Sequence, residues 1–348
     1  MIFRRSILAE IVQNAAMAAF GLLAVALTVL VVRVVGDAAG GRIPADLVWT
    51  FLGLSVIGQL PLVLVLGGFA GVLLTVQRLA RDSEWVVWRA AGVSRVGFYD
   101  PLVLFALPLA LLVLWITMWV SPWSERQRAE LLASAAARDE TQSVAPGVFR
   151  ESGDGRRVFF VMPGQDGKQQ VFARLRREER SSVVLAADAE LFQRDGAQWV
   201  RLLDGRRYEE GETALAFRVE RFEWQELRLQ TKSEESPKFR MKAIPSSRLL
   251  AEPGRQELAE IARRLGLPLA VLLLVAMALP LGESSPRTSK GYALVMAVLV
   301  FVTYTNFISV SYGWIARGRM EFWSGLTLPH ALAALAWLGL MLWRSRRG

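Results

Sequence analysis

Six apolar stretches, each long enough to cross a bilayer, lie three and three around a charged block at residues 124–255. A helical crossing takes roughly 20 residues at about 1.5 Å each, so this pattern leaves few folds open. The first run, residues 11–35, follows Arg4, Arg5 and Glu10. It is too long for the apolar core of a signal peptide and no convincing small-x-small cleavage site closes it, so it reads as an uncleaved span. Residues 47–79 form one apolar stretch longer than the roughly 30 Å hydrocarbon core; as a helix it must tilt, kink at Pro61 or project from the bilayer. Within it Gly67, Gly71 and Thr75 make a small-residue ridge suited to close helix contact. The third span runs from Pro101 to Val120, with Trp115, Trp119 and Trp123 as an interfacial aromatic belt. Residues 265–281, 291–312 and 322–343 are the remaining three.

The central block is chemically different. It holds 24 of the 41 Lys and Arg and 22 of the 32 Asp and Glu, so its charge is nearly balanced. Residues 124–144 read as a polar continuation of the third helix. Beyond Pro146, short runs alternate apolar with polar: 158–161, 170–173, 183–185, 189–192, 199–202, 214–217 and 224–229. Asp-Gly pairs at Asp154-Gly155, Asp166-Gly167, Asp195-Gly196 and Asp204-Gly205 are hairpin signals. Together they predict an antiparallel sandwich or jelly roll. The expected fold is an α-helical membrane protein with six transmembrane helices and an extracytoplasmic antiparallel β-jellyroll domain inserted between helices 3 and 4. The expected divisions are residues 1–123, 124–255 and 256–348.

Six spans put both termini on one side, together with Arg78, Arg81, Arg89, Arg95, Arg287, Lys290, Arg344, Arg346 and Arg347. The short loops of the other side carry only Arg33, Arg42, Arg317 and Arg319. The positive-inside rule therefore places the termini in the cytoplasm; a long translocated domain escapes that rule. The net charge of +9 thus belongs to loops that face anionic lipid, not to nucleic acid. The chain has no Cys, so it has neither disulfides nor a thiol nucleophile. It has no G-x-x-x-x-G-K-[ST] phosphate loop, no Ser/His/Asp set and no His/Glu metal spacing, so no enzyme and no cofactor of its own is expected.

Several features carry candidate function. Residues 82–92, between the second and third spans, are too short and charged to cross a bilayer but read as a helix. Asp82 or Ser83 is placed to cap it, Glu84 suits the positive end of its dipole, and Gly92 suits a left-handed stop. Glu84, Trp85, Trp88 and Arg89 give it a charged and aromatic surface. It is either a passive surface helix or a receiver of force from a partner. Arg33, Arg317 and Arg319 near the outer membrane edge are either snorkelling anchors or guanidinium partners for an anionic head group. The far half of the fifth span, with Tyr304 and Asn306, either hydrogen-bonds neighbouring helices or walls an amphiphile cavity. The single His, His330, reads as a buried group bonded to a neighbouring helix; a proton relay needs further intramembrane ionisable groups.

On these residues the chain resembles the LptF/LptG family of lipopolysaccharide-export permeases, its F-type members most closely. The resemblance rests on Phe3-Arg4-Arg5-Ser6-Ile7-Leu8-Ala9-Glu10, Gly58-Gln59-Leu60-Pro61-Leu62, Phe69-Ala70-Gly71-Val72-Leu73-Leu74 and Ser121-Pro122-Trp123. Above all it rests on Ser83-Glu84 through Ala90-Ala91-Gly92-Val93-Ser94. The loop Ser284-Ser285-Pro286-Arg287 also resembles the family's turn after the fourth span. The resemblance implies a bacterial inner-membrane subunit that pairs with a homologous LptG-like permease and a cytoplasmic LptB-like ATPase dimer, which uses the ATP. It implies LptC-like and LptA-like periplasmic jellyroll partners and lipopolysaccharide as cargo. It implies that Glu84, Trp85, Trp88, Arg89 and Gly92 belong to the ATPase-coupling helix, and that Arg33 contacts phosphate. Leu30 departs from relatives that carry a second cation one turn earlier. A second resemblance, Glu84 with Arg89-Ala90-Ala91-Gly92, is to MacB/FtsX-like mechanotransmission permeases. Those have four spans with the outer domain after the first, whereas here the domain follows the third. A membrane-tethered periplasmic docking module is the third alternative and has no need of the Glu84 helix.

Overall fold

Helices form wherever the apolar runs stand, and among the described residues six of them are long and apolar enough to cross a membrane. The computed structural model describes residues 2–40, 42–94, 96–142, 149–151, 157–163, 169–177, 180–194, 197–210, 217–228, 241–251, 253–282 and 290–346. Two compact units emerge, Met1–Glu130 with Glu235–Gly348, and Leu131–Glu234.

In the helical unit α1 is Ile2–Ala39, and α2 is Val48–Arg81 after a 3-10 turn at Ala45–Leu47. A short α3, Glu84–Ala90, and a 3-10 turn at Val96–Phe98 lead into α4, Tyr99–Trp115. A π-helical turn, Ile116–Val120, joins α4 without a break to α5, Ser121–Gln142. Then come α6, Ser246–Ala251, α7, Arg255–Gly282, α8, Lys290–Ala316, and α9, Phe322–Ser345. Pro61 interrupts neither the run nor the helix: α2 is continuous through it.

The centre of the bundle is α2 and α7, whose most apolar stretches are 56% and 61% buried, against 6% for α1. Small residues make this packing close. A Cβ on Gly67 would lie 2.8 Å from Ala19 of α1, and one on Gly71 would strike the backbone of Ala15. The expected ridge is therefore the α1–α2 contact, reinforced by Asn14 Nδ2 donating to Thr75 Oγ1 at 2.9 Å. Gly266 meets Ile308 of α8, and Gly282 meets Val76 of α2. At one end, Arg4 of α1 pairs with Asp100 at the start of α4, and Trp337 near the end of α9 donates to the Tyr99 hydroxyl at 3.0 Å. That end holds both termini and α3.

A buried polar joint lies elsewhere in this unit. Arg264 of α7 is 1% exposed. Its Nε donates to Glu260 at 2.9 Å, Nη1 to Ser246 Oγ at 2.7 Å, and Nη2 to the carbonyl of Ile244 at 2.8 Å and that of Lys242 at 3.2 Å. Ser246 Oγ in turn donates to the Met118 carbonyl, and Thr117 Oγ1 to the Arg264 carbonyl at 3.0 Å. Met118 and Thr117 lie in the π-helical turn, which is tied to the joint through Ser246 Oγ and the Arg264 carbonyl, while the guanidinium itself satisfies the irregular backbone before α6.

The second unit holds the end of α5 from Leu131 and an antiparallel sheet. Its strands are β1 Phe149–Glu151, β2 Arg157–Pro163, β3 Gln169–Arg177, β4 Arg180–Arg194, β5 Ala197–Glu210 and β6 Phe217–Arg228. They pair in sequence order, a meander without Greek-key crossings among the described strands. Alternate residues Val171 and Ala173, Val184 and Ala186, Val200 and Leu202 are buried on one face. The antiparallel domain inserted after the third span is thus present.

Two local expectations need correction. Runs 183–185 and 189–192 are one strand, β4. Asp204-Gly205 is not a hairpin turn but the middle of β5, with Asp204 at φ 45°. Gly205 is needed there because a Cβ would collide with the Phe222 ring and lie 2.8 Å from the Leu185 carbonyl. The pairs Asp154-Gly155, Asp166-Gly167 and Asp195-Gly196, and the loop Ser284 to Arg287, lie outside the described residues.

Candidate functional site

The cap expected for α3 does not form. Ser83 takes a left-handed conformation, φ 56°, and its side chain makes no cap bond. The joint between α2 and α3 is therefore a sharp turn at Asp82-Ser83. Gly92 sits at φ 90°, the left-handed stop read from its identity.

What fixes α3 instead is a cluster around Arg78 in the last turn of α2. Arg78 grips Glu10 of α1 with both Nε and Nη2, the latter at 2.6 Å. It grips Glu84 with Nη1 at 2.6 Å and Nη2 at 3.2 Å, and reaches Asp82 at 3.4 Å. One planar fork thus holds carboxylates from α1, from α3 and from the turn before α3. Aromatic packing holds the same face. Trp85 stacks on buried Phe98 at 3.7 Å between centroids, and Trp88 meets Phe3 of α1 edge-on at 4.9 Å.

This divides the sequence-derived coupling set. Glu84, Trp85 and Trp88 are half-buried and turn toward the bundle, the two indoles against Phe98 and Phe3. The outward face is Val86 and Val87, each 66% exposed, with Arg89 and Ala90. Helical geometry sets the division, since positions 84, 85 and 88 share one side and 86, 87 and 90 the other. Sequence reading missed Phe3, Glu10, Arg78 and Phe98. Glu10 alone carried a signal, as a lone carboxylate at the edge of an apolar run in need of a cation.

The candidate lipid-facing residues also separate. Arg33, Arg317, Arg319 and Asn306 are exposed. Tyr304 is only 6% exposed, because its hydroxyl is bonded to His330 Nδ1 of α9. It forms an α8–α9 tie, and His330 is the helix-bonded group its setting implied. The Asn306 amide donates back to the Val302 carbonyl at 2.7 Å, and Ser309 to Thr305 at 2.8 Å, which lets polar groups sit on an exposed helix face. Ser309, Val310, Gly313, Trp314 and Arg317 line a groove of about 230 Å³. Leu30, one turn before Arg33, is buried.

A family model for "Lipopolysaccharide export system permease LptF/LptG" matches residues 5–345. The chain belongs to this family. It is 29% identical over 309 residues to the lipopolysaccharide export system permease protein LptF of Escherichia coli (strain K12). The match covers 87% of this chain and 84% of that protein, and the Shigella flexneri protein of the same name matches to the same extent. As an LptF/LptG-family permease, the chain is a multi-pass inner-membrane protein, and the six long apolar helices among its described residues fit that.

Proposed function

We propose that this permease is one half of an ATP-driven transporter that extracts lipopolysaccharide from the outer leaflet of the inner membrane. In this reading the lipid passes to a periplasmic bridge of β-jellyroll proteins, first an LptC-like single-span partner and then an LptA-like one. The β sheet of this chain stands on the periplasmic side. A homologous LptG-like permease completes the cavity, and a cytoplasmic LptB-like ATPase dimer supplies the stroke. ATP is bound and hydrolysed there, not by this chain.

The observation that carries the reading is the outward apolar face of α3. Val86 and Val87 stand exposed at the end of the bundle that holds both termini, on a helix braced from behind. An exposed apolar pair on a braced helix fits an apolar groove on a partner. The apolar side chains that α1 leaves exposed, Phe20, Val25, Val29 and Val32, support a second permease chain against it, and the groove at Arg317 supports capture of an anionic head group.

The test is purification in mild detergent with mass spectrometry of co-purifying chains and lipid. Wild type is expected to bring down an ATPase, a second permease and lipopolysaccharide. Val87→Asp removes about 2 kcal/mol of apolar burial and is expected to strip the ATPase while the second permease and the lipid remain. A wild-type chain without any ATPase would sink the reading.

A further inference from the structure

We infer that Arg78 is a positioning residue for transport: it joins Glu84 of the coupling helix to Glu10 of α1, so that a push on α3 enters α1 through one guanidinium. The inference rests on the ATPase-coupling reading above and goes beyond it by naming the route of force inside the chain.

The backbone alone is a poor lever. Helix α3 has seven residues and hangs from α2 by a left-handed turn at Ser83 with no side-chain cap. A load on Val86 and Val87 would bend that joint unless side chains bridge it. The aromatic contacts of Trp85 and Trp88 resist compression but let flat rings slide, since apolar packing is non-directional. The guanidinium fork fixes direction: two oxygens of Glu10 on one side and two of Glu84 on the other lie in hydrogen-bond reach of the same planar group. Lysine has three donors but no planar fork, so it would meet each carboxylate through a single bond without fixing its direction. The receiving helix, α1, is keyed to α2 through Gly67 and Gly71 and keeps Phe20, Val25, Val29 and Val32 exposed, so a push that enters it reaches a face open to a partner.

The test uses the reconstituted permease–ATPase complex in proteoliposomes and reads lipopolysaccharide released per ATP hydrolysed. Glu10→Gln leaves the Arg78–Glu84 contact in place and weakens only the grip on α1. Release per ATP is expected to fall at least about fivefold, with ATPase co-purification and basal hydrolysis within about twofold of wild type. Arg78→Lys is expected to do the same. The double variant Glu10→Lys with Arg78→Glu restores an α1–α2 ion pair but sets the carboxylate introduced in α2 against that of Glu84; it is expected to regain thermal stability without regaining coupling. Wild-type release per ATP in Glu10→Gln or in the double variant would overturn the inference, as would loss of the ATPase from Glu10→Gln. Failure of the coupling reading itself looks different: the wild-type complex would show no ATP-dependent release.

Discussion

Single residues in this permease do work that their neighbours in sequence do not reveal. Arg264 is the clearest case. It is nearly inaccessible, it meets Glu260, and it satisfies carbonyls of Lys242 and Ile244 besides the Ser246 hydroxyl. Removing one partner of a buried charge pair typically costs about 3–5 kcal/mol, because the other polar groups are left unpaired. Arg264→Leu is therefore expected to lower the thermal unfolding temperature in detergent by several degrees or more. Arg263 also holds Glu260, at 2.6 Å, so Arg263→Leu leaves the carbonyls satisfied and is expected to cost less. Equal losses in the two variants would argue that the carbonyl contacts of Arg264 are worth little. Gly205 and Gly71 make the opposite point: their value lies in the space they leave for Phe222 and for the backbone of Ala15.

Helices here are two-faced in ways that composition alone conceals. On α8, Tyr304, Ile308 and Ser311 face inward while Asn306, Ser309 and Val310 face out. Both sets carry polar atoms, so polarity does not say which side meets lipid. If Tyr304 is a tie to His330, then Tyr304→Phe removes one hydrogen bond and costs about 1 kcal/mol of stability, leaving the amount of co-purified lipid unchanged. Asn306 and Arg317 substitutions are the ones expected to reduce bound lipid, measured by mass spectrometry per mole of protein. The same logic governs α3, where a spacing of one residue separates Trp85, packed on Phe98, from Val86, open to a partner.

The molecule as a whole joins a six-helix membrane body to an inserted β sheet. Its orientation is testable because the chain has no cysteine, so single introduced thiols report without background. Ser83 and Asp46 are both exposed and lie at opposite ends of α2. A membrane-impermeant maleimide is expected to label Asp46→Cys in intact spheroplasts and Ser83→Cys only in inverted vesicles. The reverse pattern would invert the topology and remove α3 from reach of a cytoplasmic ATPase. That assignment follows from the arginine count of the short loops, and the opposed placement of the two positions follows from the single continuous helix between them.

Local patterns sufficed for the spans, the inserted antiparallel domain, the Gly67–Gly71 ridge and the stop at Gly92, because each depends on hydropathy, period or backbone freedom written within a short window. Hydropathy placed the six helices, and the residue strings around Glu84 carried the family. Other features depended on which distant residues the packing brings into reach. Glu10 and Arg78 are 68 positions apart and Arg264 and Thr117 are 147 apart, so no periodicity links them. The Asp204-Gly205 pair has the makings of a turn, yet pairing of β5 with β4 and β6 on both sides keeps it in a strand. Trp85 and Trp88 look like partner anchors in isolation, and only the positions of Phe3 and Phe98 turned them inward. Helix period defines two faces; the surrounding bundle decides which face is free.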